Sequence, residues 1–189
     1  MTITSTGLCS RALVQLGAQG ISSFHEDTTE ARVAGQLYAT TLRALLASYP
    51  WRFALAQRKL ARLHQTPTAD YRRAYALPND CVRVLSAGQS ARGSGLGYRI
   101  AQNQLHTNAE SVVLTYIAQP HERNFPAFFQ QALIAQLAAA FCLPLTESTS
   151  RTDYLRGRAA EEIRQARLVD SQQAVPSHFK DFSLIEVRA

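Results

Sequence analysis

A change of hydrophobic period at one proline constrains this chain more than any other feature. Before it, Leu37, Tyr38, Leu42 and Leu45 recur at helical spacing; after it, apolar residues recur at every second position. Pro50 stands at the change, and a proline disfavours helical backbone at the residue before it, so Tyr49 begins an extended segment. Trp51, Phe53 and Leu55 then alternate with Arg52, Ala54 and Ala56, the pattern of a strand with one buried face. The chain therefore turns from helix to sheet within SYPWRFALAQRKLAR, which also holds its only tryptophan. Trp51 and Phe53 have no chemical partners in sequence, so Tyr49, Pro50, Trp51 and Phe53 read as a structural junction rather than an active site.

Helical patterns flank a strand-rich middle. The first helix runs from about Ser5 to Gly17, with Ser5 or Thr6 as cap and Leu8, Ala12, Leu13 and Leu16 on one face. The second runs from Thr28, its cap, to Ser48, with Ala31, Ala34, Leu37, Tyr38, Thr41, Leu42 and Leu45 as its apolar stripe. Strand patterns fill YRRAYALPNDCVRVLSAG, with a turn at Pro78-Asn79-Asp80, and GQSARGSGLG reads as an exposed hairpin tip. Next, GYRIAQNQLHTN and SVVLTYIAQP read as two strands separated by Asn108-Ala109-Glu110. Helical spacing resumes at Pro126, a first-turn proline, and runs through Phe141 until Pro144 stops it. A last long helix follows, with Ser150 and Asp153 as an approximate capping box, and the chain leaves helix at Pro176.

These segments predict an α+β fold: an antiparallel bundle of about four helices, with a small antiparallel β-sheet region inserted between the second and third long helices. Residues 1–50 and 120–173 form a discontinuous helical body, 51–119 the β-rich insertion, and 174–189 an extended C-terminal docking tail. In that tail Phe179, Phe182, Leu184 and Ile185 are concentrated apolar residues outside the expected core, with Lys180 among them and Arg188 after them. Such a segment either docks on its own domain or is held for a partner.

Composition narrows the function classes. With 46% hydrophobic and 18% charged residues the chain is globular in character. No apolar run approaches a membrane span, because Gln130, Gln131 and Gln136 interrupt the most apolar stretch, so no membrane partner is expected. The opening MTITSTGLCSRALVQLG lacks the basic and apolar regions of a secretory signal, which predicts a chain kept in the cytosol of the producing cell. Cys9, Cys81 and Cys142 are odd in number and widely spaced, reading as small buried thiols. The net charge of +6 is carried almost wholly by arginine, with lysine only at Lys59 and Lys180. Arginine suits bidentate pairing with carboxylate or phosphate, so acidic protein surfaces and nucleic acid both fit.

No set of residues marks catalysis. Gly93-Ser94-Gly95-Leu96-Gly97 has neither P-loop nor dinucleotide spacing. The five histidines stand alone, and Glu161 and Glu162, adjacent on a helix, diverge. The expectation is a non-enzyme with no catalytic, cofactor-binding or metal residues. Tyr71-Arg72-Arg73-Ala74-Tyr75 is the best local nucleic-acid candidate, since arginine beside aromatics holds phosphate and stacks bases, but an edge strand with an exposed basic face is the simpler and favoured reading. A small basic DNA-binding module is therefore the alternative reading.

Taken in order, several short motifs resemble one family. They are Ala12-Leu13-x-x-Leu16-Gly17, then Ile21-Ser22-Ser23-Phe24-x-Glu26-Asp27-x-x-Glu30-Ala31, and Leu45-Leu46-x-x-Tyr49-Pro50-Trp51-x-Phe53-Ala54. Arg58 and Leu60, then Tyr71, Tyr75, Leu77-Pro78-x-Asp80-Cys81-x-Arg83-Val84 and the late Phe128–Phe141 helix follow. The ordered set is similar to the tail tubular protein A, or head-to-tail adaptor (gatekeeper), family of short-tailed phages and related prophage elements. The resemblance implies a non-enzymatic virion protein that forms a ring, commonly dodecameric, beneath the portal and joins the DNA-filled head to the tail. It implies as partners the portal protein, a tail nozzle or other tail protein, and further copies of itself, with DNA only passing through the channel. It places the chain at the virion head–tail interface, and in the host cytoplasm during assembly. With the portal as partner, the tail's concentrated apolar residues Phe179, Phe182, Leu184 and Ile185, together with Lys180 and Arg188, are the expected portal contacts.

Overall fold

The order of elements in the computed structural model, which describes residues 3–89 and 93–173, is two helices, six strands and two helices. The class is α+β, with four helices and two small antiparallel sheets among the described residues. Helix α1 (Ser5–Gln15) is capped by Thr4, not by Ser5 or Thr6. Thr4 has the extended backbone that a cap requires, and its hydroxyl accepts the Gly7 N–H at 3.1 Å; the other two residues are already helical. Gly17 follows at φ +70°, a left-handed conformation suited to glycine after a helix end. Helix α2 (Thr29–Ala47) begins at the expected cap, Thr28, whose hydroxyl accepts the Ala31 N–H at 3.2 Å. Its buried face is Ala31, Ala34, Tyr38, Leu42, Leu45 and Leu46, the expected stripe shifted to include Leu46, with Leu37 only half-buried.

Beyond Pro50 the expected strand starts late. Arg52–Ala54 form a single 3₁₀ turn, and strand β1 (Leu55–Lys59) begins only after it. The threefold repeat of that turn carries Trp51 and Ala54 inward together. Leu55, expected on the buried face, is instead 48% exposed. Strands β2 (Arg73–Ala76), β3 (Cys81–Gly88), β4 (Arg99–Ala101), β5 (Gln104–Thr107) and β6 (Val113–Ala118) complete the set. One sheet has the order β1-β6-β3 and the other β2-β5-β4, antiparallel throughout. The turn at Pro78-Asn79-Asp80 forms as expected, closed by the Cys81 N–H on the Pro78 carbonyl at 3.0 Å. GYRIAQNQLHTN is not one strand but the β4–β5 hairpin. Gln102 and Asn103 both take positive φ, 50° and 60°, the handedness that a two-residue hairpin loop needs to match strand twist.

Strand β6 stands between the two hydrophobic cores. Leu114 and Tyr116, with Val112 just before the strand, join Leu60, Tyr75, Leu77 and Leu105 in the sheet cluster. Ile117 on the opposite face is fully buried in the helical cluster with Trp51 and Phe129. The alternation of a strand thus serves two cores at once.

Helix α3 (Ala127–Thr146) packs against α1, α2 and the final helix α4 (Thr149–Ser171). Pro126 is its cap rather than a first-turn residue. Pro144 does not stop it: a proline near a helix end removes one bond, and the helix runs two residues further to a left-handed Glu147 at φ 53°. α3 is long and apolar enough to cross a membrane, against the expectation that no segment approaches a span. Its three glutamines are too few to offset the rest; Phe129, Leu133, Leu137 and Phe141 are fully buried among the other helices. Helix α4 is capped by Ser148, whose hydroxyl receives the Arg151 N–H at 3.4 Å, and not by Ser150 with Asp153, which instead pairs with Arg156. Glu161 and Glu162 do diverge, the first toward Arg164 and the second toward Arg158.

Candidate interaction site

The junction expected at residues 49–53 is where the two ends of the helical core are tied together. Trp51 is fully buried. Its indole N–H donates to the Leu45 carbonyl at 2.9 Å, and the Ser48 hydroxyl donates to the same oxygen at 2.8 Å. The Ala47 carbonyl receives Arg83 from β3 at 2.9 Å. Carbonyls in the last turn of a helix lack partners within the helix, so these three donors complete the end of α2. Arg83 also brings a cation to the negative end of the helix dipole.

Aromatic rings fill the space beneath. Trp51 meets Tyr49 and Phe129 edge-on, both at 5.1 Å between centroids. Phe53 lies 4.7 Å from Phe129 and 6.2 Å from Phe125 and Phe128. Edge-to-face contacts place the positive rim of one ring on the negative face of another and contribute about 0.5–1.5 kcal/mol beyond area burial. Of the four junction residues, Trp51 is inside, Tyr49 and Phe53 are half-buried, and Pro50 is exposed.

The last turns of α4 close over this cluster. Asp170, with no exposed surface, accepts the Arg52 backbone N–H through both oxygens at 3.0 and 3.2 Å. Burial raises its pKa, and the Arg52 N–H offsets that in part. Arg167 lies over the Tyr49 ring at 5.5 Å and donates to the Ser48 hydroxyl at 3.1 Å. Its Nε is buried without a hydrogen-bond partner among the described residues. Sequence reasoning passed over Asp170 and Arg167. An acid in the last turn of a helix opposes the dipole, and that misfit was the available signal that Asp170 answers to something outside its own helix.

The other candidates disperse. Tyr75 is 1% exposed, and its hydroxyl donates to the Ala109 carbonyl at 2.7 Å, so it offers no face to a base. Arg73 of the same stretch is held by Glu110 at 3.0 Å and by the Asn108 carbonyl. β2 is an edge strand of its sheet, as its simpler reading anticipated. Cys9 and Cys142 are buried and Cys81 half-buried, all free; burial pushes the Cys9 thiol up to about 12, far from a reactive thiolate. Burial and Glu122 likewise raise Tyr38, whose hydroxyl donates to that carboxylate at 3.1 Å. Phe179, Lys180, Phe182, Leu184, Ile185 and Arg188, expected at a partner surface, lie outside the described residues.

Compared with known proteins, the chain matches no family model, and no curated protein matches it significantly.

Proposed function

We propose that this chain is a structural head-to-tail adaptor of a short-tailed phage or related prophage element, without catalytic activity. Copies form a dodecameric ring that docks under the portal and joins the DNA-filled capsid to the tail. The observation that carries this reading is where the resembling motifs fall. Ala12, Leu13, Leu16, Ile21, Ala31, Leu45, Leu46, Trp51 and Ala54, from three separate motifs, share the buried helical cluster, and Phe24, Tyr49 and Phe53 pack against it. Glu26 of the second motif holds the turn before α2, accepting the Ser22 and Ser23 N–H groups at 2.7 and 2.9 Å. Arg83 of the last motif reaches the end of α2. Motifs spread along the sequence thus support one framework rather than a scatter of surface positions.

In this reading α1 to α4 form an antiparallel bundle that packs on neighbouring copies, and the β-rich insertion faces the tail or the outside. A head-to-tail contact repeated with a closing rotation generates the ring. Arginines on α4, such as Arg151 and Arg156, orient the subunit on acidic neighbours more than they add affinity. The tail anchors on the portal through Phe179, Phe182, Leu184 and Ile185. Imaging of the chain mixed with its cognate portal tests this: a ring on the portal's narrow end is expected, and absence of association refutes it. DNA titrations over a range of salt address the alternative, because phosphate-driven binding weakens steeply with ionic strength whereas apolar docking does not.

A further inference from the structure

A groove runs between α2 and α4 along the back of α3. Two depressions of about 520 and 330 Å³ share Leu37 and Gln136 and so form one continuous trough. Val33 to Ser48 form one wall, Thr152 to Arg167 the other, and Ala139 and Ala140 belong to the floor at one end. The α4 wall carries Arg156 and Arg167, and no carboxylate lines the groove among the described residues. At 1.5 Å per residue, the wall from Thr152 to Arg167 is about 22 Å long.

We propose that the occupant of this groove is the chain's own segment 179–187, folded back in the same molecule. Helix α4 ends at Ser171, beside the Arg167 end of the groove, where Asp170 is fixed to Arg52. Residues 174–187 can span up to about 46 Å when extended, twice what the groove requires. The segment supplies Phe179, Phe182, Leu184, Ile185 and Val187 for the apolar surface, and Asp181 and Glu186 as carboxylates for Arg167 and for Arg156, which already pairs with Asp153. Arg167, with its buried Nε unpartnered among the described residues, stands where the returning segment enters. A short tether gives such a segment an effective concentration in the millimolar range, far above that of a second copy in dilute solution. The free chain thereby covers its own apolar tail until a partner displaces it. This assignment does not depend on the portal reading.

Disulfide trapping in the full chain tests it. Thr40→Cys, in the groove, is combined with Ser183→Cys on a Cys81→Ser background, and oxidation is followed by non-reducing peptide mapping. The comparison pair joins Ser183→Cys to Arg11→Cys, exposed on α1. The groove pair should close within single chains at least about tenfold faster than the comparison pair, at a rate independent of protein concentration. Adding Leu37→Glu should bring it down to the comparison rate, with far-UV circular dichroism confirming that each variant is folded. Equal rates for the two pairs overturn the proposal. Cross-links between chains whose rate rises with concentration also overturn it, since they make a second copy the occupant. Portal binding is a separate readout, so either conclusion can fail while the other stands.

Discussion

Asp170 and Arg52 are joined across 118 residues by a carboxylate that grips one backbone N–H with both oxygens, at 3.0 and 3.2 Å. The contact fixes the last turn of α4 to the point where the chain leaves the helices for the sheet. Removing the carboxylate in Asp170→Ala leaves the Arg52 N–H without its acceptor, at a cost of about 1–3 kcal/mol. Asp170→Asn keeps an acceptor and removes a buried charge, so it should cost less. The pH dependence separates charge from hydrogen bond. Burial raises the folded-state pKa of Asp170, so the folded chain binds this proton more tightly than the unfolded one. Its contribution is fully present below the unfolded carboxyl value and is lost as pH rises through the raised folded value. Asp170→Asn should therefore gain on the parent chain between acid and neutral pH in urea titrations; a constant difference refutes a buried titrating carboxylate.

Trp51 provides the second test of the junction. Truncation to alanine empties a fully buried site and should cost about 3–5 kcal/mol. Trp51→Phe keeps much of the packing and loses the indole N–H, but the Leu45 carbonyl still receives Ser48. Its hydrogen-bond loss should be nearer 0.5–1.5 kcal/mol. Denaturation followed by circular dichroism at 222 nm, which does not need the tryptophan, measures both. A near-neutral Trp51→Ala contradicts the packing role.

The helices were legible through their long apolar period, as the stripe from Ala31 to Leu45 shows, but of the expected caps only Thr28 is the one the structure uses. The strands were legible in place but not in partnership. β5 and β6 adjoin in sequence yet enter different sheets, and no local signal states which edge a strand will meet. The alternation from Trp51 misled because a 3₁₀ turn and a strand can both put aromatic residues two apart. Asp170 and Arg167 stayed hidden for a different reason: their partners are backbone and side-chain groups of residues 48–52, far away in sequence.

Glu147 holds left-handed backbone at φ 53° at the end of α3, with its N–H on the Leu143 carbonyl at 3.0 Å. A residue with a Cβ pays about 1–2 kcal/mol in that region, and glycine does not. Glu147→Gly should stabilise the chain by about 1 kcal/mol after the greater freedom of glycine in the unfolded chain is subtracted. Glu147→Ala should give no such gain, since it keeps the Cβ. Urea midpoints for the two variants make the comparison, and equal effects contradict a backbone origin.

Glu26 supplies a titration of opposite sign to Asp170. Its carboxylate accepts the Ser22 hydroxyl at 2.5 Å and the Ser22 and Ser23 N–H groups, and these bonds hold its pKa below the ordinary carboxylate value. The folded chain therefore releases this proton more readily than the unfolded one. Stability from Glu26 is present above the unfolded value and is lost as pH falls through the depressed folded value. Glu26→Gln should accordingly differ most from the parent near neutral pH and approach it in acid, the reverse of the direction expected for Asp170→Asn relative to its parent. Both variants can be followed by urea unfolding across the same acid range. If Glu26→Gln shows the same stability deficit at pH 3 as at pH 7, the Ser22–Glu26 turn owes its strength to geometry that glutamine fails to reproduce, and the ionised carboxylate is not what holds the entry to α2.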